Sequence, residues 1–150
     1  MLNQRALLVI LFVLGLIFVA VSLLARPFGL DVTDGYGIIQ LTGLLTGITL
    51  LTLATWLYLR DERPESAPNS LQADIGVRLA GTGLIFTYVA GYADLLRIGT
   101  HDESIGFDQP FVGPLQLVGL VVGIVIISAG LFMYHTSRGN REQSLFNFQK

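Results

Sequence analysis

Three charged residues stand within otherwise apolar sequence: Arg78, Asp94 and Arg97, all in the run 75–98. An ionisable group set among apolar residues is expensive to keep there and points to chemistry or to a partner that neutralises it. Asp94 and Arg97 are three residues apart, a spacing that lets them pair on one helical face. Arg26 closes the first apolar run at a comparable place, while Gln40 and Gln116 lie about one turn inside two other runs, with Tyr36 and Tyr92 at the same level. Arg26, Gln40, Asp94, Arg97 and Gln116 are therefore predicted to form one polar layer, with Arg26 facing Asp94. Such a layer has two chemical uses. It is a vestibule for an ion or small ligand, or it is hydrogen-bonded glue between helices, and glue is the plainer reading. Arg78, one turn inside its run, is placed to extend its charge to a headgroup layer as an anchor.

Other chemistries lack their residues. The chain has no cysteine, which removes disulfides, thiol redox chemistry and cysteine-ligated zinc or iron–sulfur sites. It has two histidines, His101 and His135, and neither falls inside an apolar run, so bis-histidine haem is not expected. His101, Asp102, Glu103 and Asp108 are metal-ligand types, but on a glycine-containing loop their spacing fixes no ligand geometry. GxSxG, HExxH and P-loop patterns are absent from the sequence. A net charge of −2 gives no electrostatic footprint for nucleic acid. The expectation is a protein that is not an enzyme, with no catalytic residue, no metal and no cofactor.

What positions the polar layer is legible from composition. Of 150 residues, 52% are hydrophobic and 13% charged, about half the charge of an ordinary soluble domain. About 20 apolar residues span the hydrocarbon core of a bilayer, and four runs reach that length: 6–25, 37–59, 75–98 and 111–134. Four transmembrane helices are expected, in an all-α integral membrane protein. With the N-terminus cytoplasmic, seven basic residues fall on the inner side and two, Arg26 and Arg97, on the outer, so both termini are expected inside the cell. The first run does not read as a cleaved leader, because Leu23 and Ala25 make a poor cleavage site. Eight arginines against one lysine read as the composition of a prokaryotic genome, which places the chain in a prokaryotic cell membrane.

The chain also matches itself. Shifted by 68, Val9–Ala25 aligns with Val77–Ala93 at 8 identities in 17; shifted by 76, Tyr36–Arg60 aligns with Val112–Thr136 at 8 in 25. The predicted organisation is one transmembrane domain of two tandem two-helix hairpins, repeat 1 over about 6–60 and repeat 2 over about 74–136. A linker over about 61–73 joins them and a polar tail covers 137–150. An even number of spans per copy makes the repeats parallel, related by a pseudo-twofold along the membrane normal. Gly43-x-x-x-Gly47 and Gly119-x-x-x-Gly123 recur at matched positions and predict close helix approach, with the second and fourth helices packed together centrally. Thr42, Thr46 and Thr49 share a face and match Val118, Val122 and Val125. Their hydroxyls are expected to return to their own backbone rather than to line an ion path.

Two functions from different classes fit. The leading one is a non-catalytic structural, assembly or accessory subunit of a membrane complex, partnered by the lipid bilayer and by further copies or other membrane subunits. The alternative is a small homo-oligomeric transporter or channel with an outer polar vestibule.

Overall fold

The computed structural model describes residues 4–25, 37–62, 70–93 and 113–137. They form four helices, α1 (Gln4–Leu24), α2 (Ile38–Asp61), α3 (Leu71–Gly91) and α4 (Pro114–Thr136). Three of them, α1, α2 and α4, are long and apolar enough to cross a membrane. The helix α3 is less apolar than the run 75–98 suggested, because it begins earlier and takes Gln72 and Asp74 into its first turns beside Arg78. The Ser70 hydroxyl caps it by accepting from the Ala73 N–H at 3.1 Å, which satisfies one of the free amides of the first turn. Residues 71–73, expected in the linker, are thus helical, and Ala73 is buried. At the other end α3 stops at Gly91, a poor helix former. Asp94 and Arg97, expected on this helix, fall beyond its end and outside the described residues, as does Arg26.

The helices pair as α1 with α2 and α3 with α4. The buried residues of α4, Gln116, Leu120, Gly123, Ile127, Gly130 and Tyr134, alternate steps of four and three. Those of α3 begin Ala73, Gly76, Ala80, Gly83 and Thr87 in the same rhythm. An average step of about 3.5 residues is the seam of a left-handed helix pair. In α1 the seam thins to Leu8, Gly15 and Ser22, one residue every seven. Much of the rest of α1 turns outward, with Val9, Phe12, Leu16 and Val21 at least half exposed.

Both seams close by backbone approach at glycine. A Cβ built on Gly47 would lie 2.9 Å from the Gly15 carbonyl oxygen and 2.9 Å from the Val19 nitrogen; one on Gly123 would lie 3.0 Å from Thr87 Cβ. A Cβ on Gly83 would lie 2.7 Å from the Ile127 nitrogen, and one on Gly130 would lie 2.6 Å from the Gly76 carbonyl. The glycines of α2 and α4 therefore face α1 and α3, inside each hairpin, and not each other as the sequence suggests. The GxxxG spacing specifies a groove, and the helix across the groove is set by whichever neighbour also presents small residues, Gly15 on α1 and Gly83 on α3. Gly43 is the roomiest of the four, with its nearest neighbour Ser22 Cβ 3.9 Å from the built position.

Contact between the hairpins is thinner and runs through α2 against α3 and α4. Toward the α4 N-terminus Leu41, Leu45 and Leu120 form one cluster, flanked by Leu44, Tyr88 and Tyr92. At the opposite end Leu59, Ala73 and Tyr134 form another, flanked by Val77 and Leu131. Two clusters in place of a continuous seam make this joint the weakest layer of the fold.

Candidate functional site

Gln40 and Gln116 occupy the third helical position of α2 and α4, and each reaches back to its own helix start. The Gly37 N–H donates to Gln40 Oε1 at 3.3 Å and the Gly113 N–H to Gln116 Oε1 at 2.9 Å. Both side chains thus close the backbone end of a helix, the half of a capping box that glycine at the cap leaves available. The two predicted members of the polar layer that are described serve their own helices. The other three, Arg26, Asp94 and Arg97, lie outside the described residues. Gln116 is only 5% exposed, and its amide nitrogen is buried without an acceptor among the described residues.

The polar contacts that join the two hairpins lie lower. Thr42 and Thr49 each donate to the carbonyl four residues back, Ile38 and Leu45, at 2.8 Å. Each hydroxyl also meets a tyrosine of the other hairpin: Thr42 Oγ1 is 3.0 Å from the Tyr92 hydroxyl and Thr49 Oγ1 is 2.9 Å from the Tyr88 hydroxyl. Thr46 has only its backbone bond, to the Thr42 carbonyl. The expectation of self-bonded threonines describes Thr46 fully and the other two in part. Tyr88 was missed, although its spacing of four from Tyr92, against seven between Thr42 and Thr49, places each pair on one helical face. The tyrosine rings lie 6.2 Å apart. Replacing both Tyr88 and Tyr92 by phenylalanine removes the two interhelical bonds and keeps the rings. Such bonds average about 0.6 kcal/mol between membrane helices, so the double variant is expected to lose about 1 kcal/mol in a thermal unfolding measurement.

At the opposite end the hairpins close with glutamine again. Gln4 Nε2 donates to Asp61 at 3.1 Å across α1 and α2. Gln72, which the 68-residue shift aligns with Gln4, donates to Thr136 Oγ1 at 3.1 Å across α3 and α4. The Arg60 guanidinium lies over the Trp56 ring at 5.5 Å, and Tyr58 donates to Glu62. Arg78, expected as a lone anchor, pairs with Asp74 at 3.0 Å. Both groups are exposed, so the pair contributes at most about 0.5 kcal/mol. Among the described residues there is no group of histidine, aspartate and glutamate able to hold a metal ion. The arrangement can cap helices, close hairpins and latch one hairpin to the other. No protein-family model, curated protein or solved structure matches the chain.

Proposed function

We propose that this chain is a small integral membrane protein, built from two copies of one hairpin, which serves as a non-catalytic structural or assembly subunit of a larger complex. Its setting is a prokaryotic cell membrane, with four spans and both termini cytoplasmic. The observation that carries this reading is where the polar groups go. Gln4, Ser22, Gln40, Thr42, Thr49, Gln72 and Gln116 all bond within the chain, tying helix to helix or closing a helix end. Apolar side chains face outward on every helix, which suits lipid or another membrane subunit. The duplication draws support from matched contacts. Gly47 meets Val19 and Gly123 meets Thr87, Gly15 meets Leu51 and Gly83 meets Ile127, and each second pair is the first one shifted by 68 and 76 residues.

Purification in mild detergent tests the role. The expected result is co-purification in fixed stoichiometry with other membrane subunits. A monodisperse preparation of this chain alone, or reconstituted vesicles in which it conducts ions and loses that flux on Asp94→Asn, overturns the reading, the latter in favour of a channel.

A further inference from the structure

We infer that a second copy of this chain docks on the face of α4 made by Leu117, Val121 and Ile124, using the face of its own α1 that carries Leu23 and Leu24. The inference rests on the duplication proposed above. Under the 76-residue shift, Leu117, Val121 and Ile124 match Leu41, Leu45 and Ile48 of α2. Leu41 and Leu45 are wholly buried in the cluster that joins α2 to the second hairpin, and Ile48, one turn on along the same stripe, is 9% exposed. Their matches on α4 are 49%, 59% and 42% exposed. Two of the three are the same residue, leucine and isoleucine, and none is polar. The surface that joins one hairpin to the next is therefore present twice and used once.

The first hairpin carries apolar residues at the complementary positions too, larger where the second has glycine. On α3 these positions are Gly91 and Tyr92: the Cβ position of Gly91 is 3.3 Å from Leu45 Cδ1 and 3.4 Å from Leu41 Cδ1, and Tyr92 packs against the same cluster. The 68-residue shift matches these to Leu23 and Leu24 of α1, which are 52% and 47% exposed. Were the hairpins related by a half-turn, α4 would meet α1 within one chain. Instead α1 packs on α2, and the substantial contacts between hairpins are α2 with α3 and α2 with α4. A head-to-tail contact that does not close in two units continues into a further unit. The α2–α3 contact is antiparallel, and so is a contact between α4 and the α1 of another copy inserted the same way up. The two hydroxyl pairs are not reproduced, since Thr42 and Thr49 become Val118 and Val125. The second joint is purely apolar.

A chain without cysteine allows this to be read by disulfide formation. Chains carrying Leu23→Cys are co-expressed with chains carrying Val121→Cys and the membranes are oxidised. The expected product is a covalent dimer; Leu23→Cys with Ile85→Cys, on an exposed part of α3, gives none. Within one chain, Leu45→Cys with Gly91→Cys is expected to close a loop at monomer mass, reporting the joint that is copied. Absence of the 23–121 dimer means lipid covers the face and overturns the inference. Closure of 23 to 121 inside a single chain, or failure of the 45–91 loop, overturns it as well. Val121→Trp, on the exposed face, is expected to reduce the assembly by copies of this chain, and an unchanged mass tells against the docking. The subunit reading is judged separately. Stoichiometric foreign subunits without the 23–121 link retain that reading and remove this one, and a linked assembly of this chain alone does the reverse.

Discussion

Gly123→Leu and Gly47→Leu are each expected to prevent their hairpin from closing, with a loss of about 3 kcal/mol or more, the upper end of what overpacking costs. For a chain of this size that is a fall of roughly 6–12 °C in melting temperature. The reason is what the new side chain meets. At Gly47 a Cβ already lies 2.9 Å from backbone atoms of α1, and at Gly123 it lies 3.1 Å from the Thr87 Cα. Backbone inside a helix cannot step aside as a rotamer does, so the two helices must separate along the whole seam. Close packing supplies the attraction between the two helices, and separation removes it. The control is Gly81→Leu: a Cβ there meets nothing within 4 Å, and the melting temperature is expected to hold or rise, since glycine in a helix costs about 1 kcal/mol relative to better formers. Equal losses at Gly81 and Gly123 would show that the effect is helix propensity and not the seam.

The second large effect separates a bilayer from water. Val13 on α1 and Val125 on α4 lie near the middles of their helices and are 46% and 60% exposed. In a soluble protein an exposed valine exchanged for arginine changes stability by about 0.5 kcal/mol or less. At the centre of a membrane helix the same arginine costs about 2.5–3.5 kcal/mol. Val13→Arg and Val125→Arg are therefore expected to lower the inserted, folded fraction on the order of 100-fold relative to a control arginine near a helix end, such as Leu71→Arg. The readout is protease protection in native membranes. Arginine tolerated equally at all three positions would contradict the membrane setting.

Much of the architecture is legible in the residues, and the parts that are not share a cause. Helical runs announce themselves by length and uninterrupted apolar character, which is why α1, α2 and α4 lie within three residues of where composition puts them. The helix α3 is less well bounded because hydropathy reads the start of a helix poorly when its first turn is polar: Ser70, Gln72 and Asp74 look like linker and act as cap and first turn. For the polar residues, Gly37-x-x-Gln40 and Gly113-x-x-Gln116 carry the spacing of a helix cap, a local pattern, whereas their place one turn inside an apolar run invites grouping with Asp94 by sequence alone. The local contact is the one the described residues show: a side chain three residues from a free amide is within its reach. The partners of Thr42, Thr49 and the glycines were not legible. A groove or a hydroxyl stripe on one helix states that something approaches, and which helix does so depends on the shapes of all the others.

The seam of α1, reduced to Leu8, Gly15 and Ser22, has a consequence for how mutation reads in this gene. Between those positions, Val19 aside, Val9, Phe12, Leu16 and Val21 turn away from the other helices, and an exchange among leucine, isoleucine, valine and phenylalanine there leaves the seam in place. A deletion of one residue is another matter, because it rotates everything beyond it by about 100° and carries the small residues off the contact line. In this helix the tolerance is to spelling and the intolerance is to frame: what is inherited is a distance between three letters, far more than the letters that fill it.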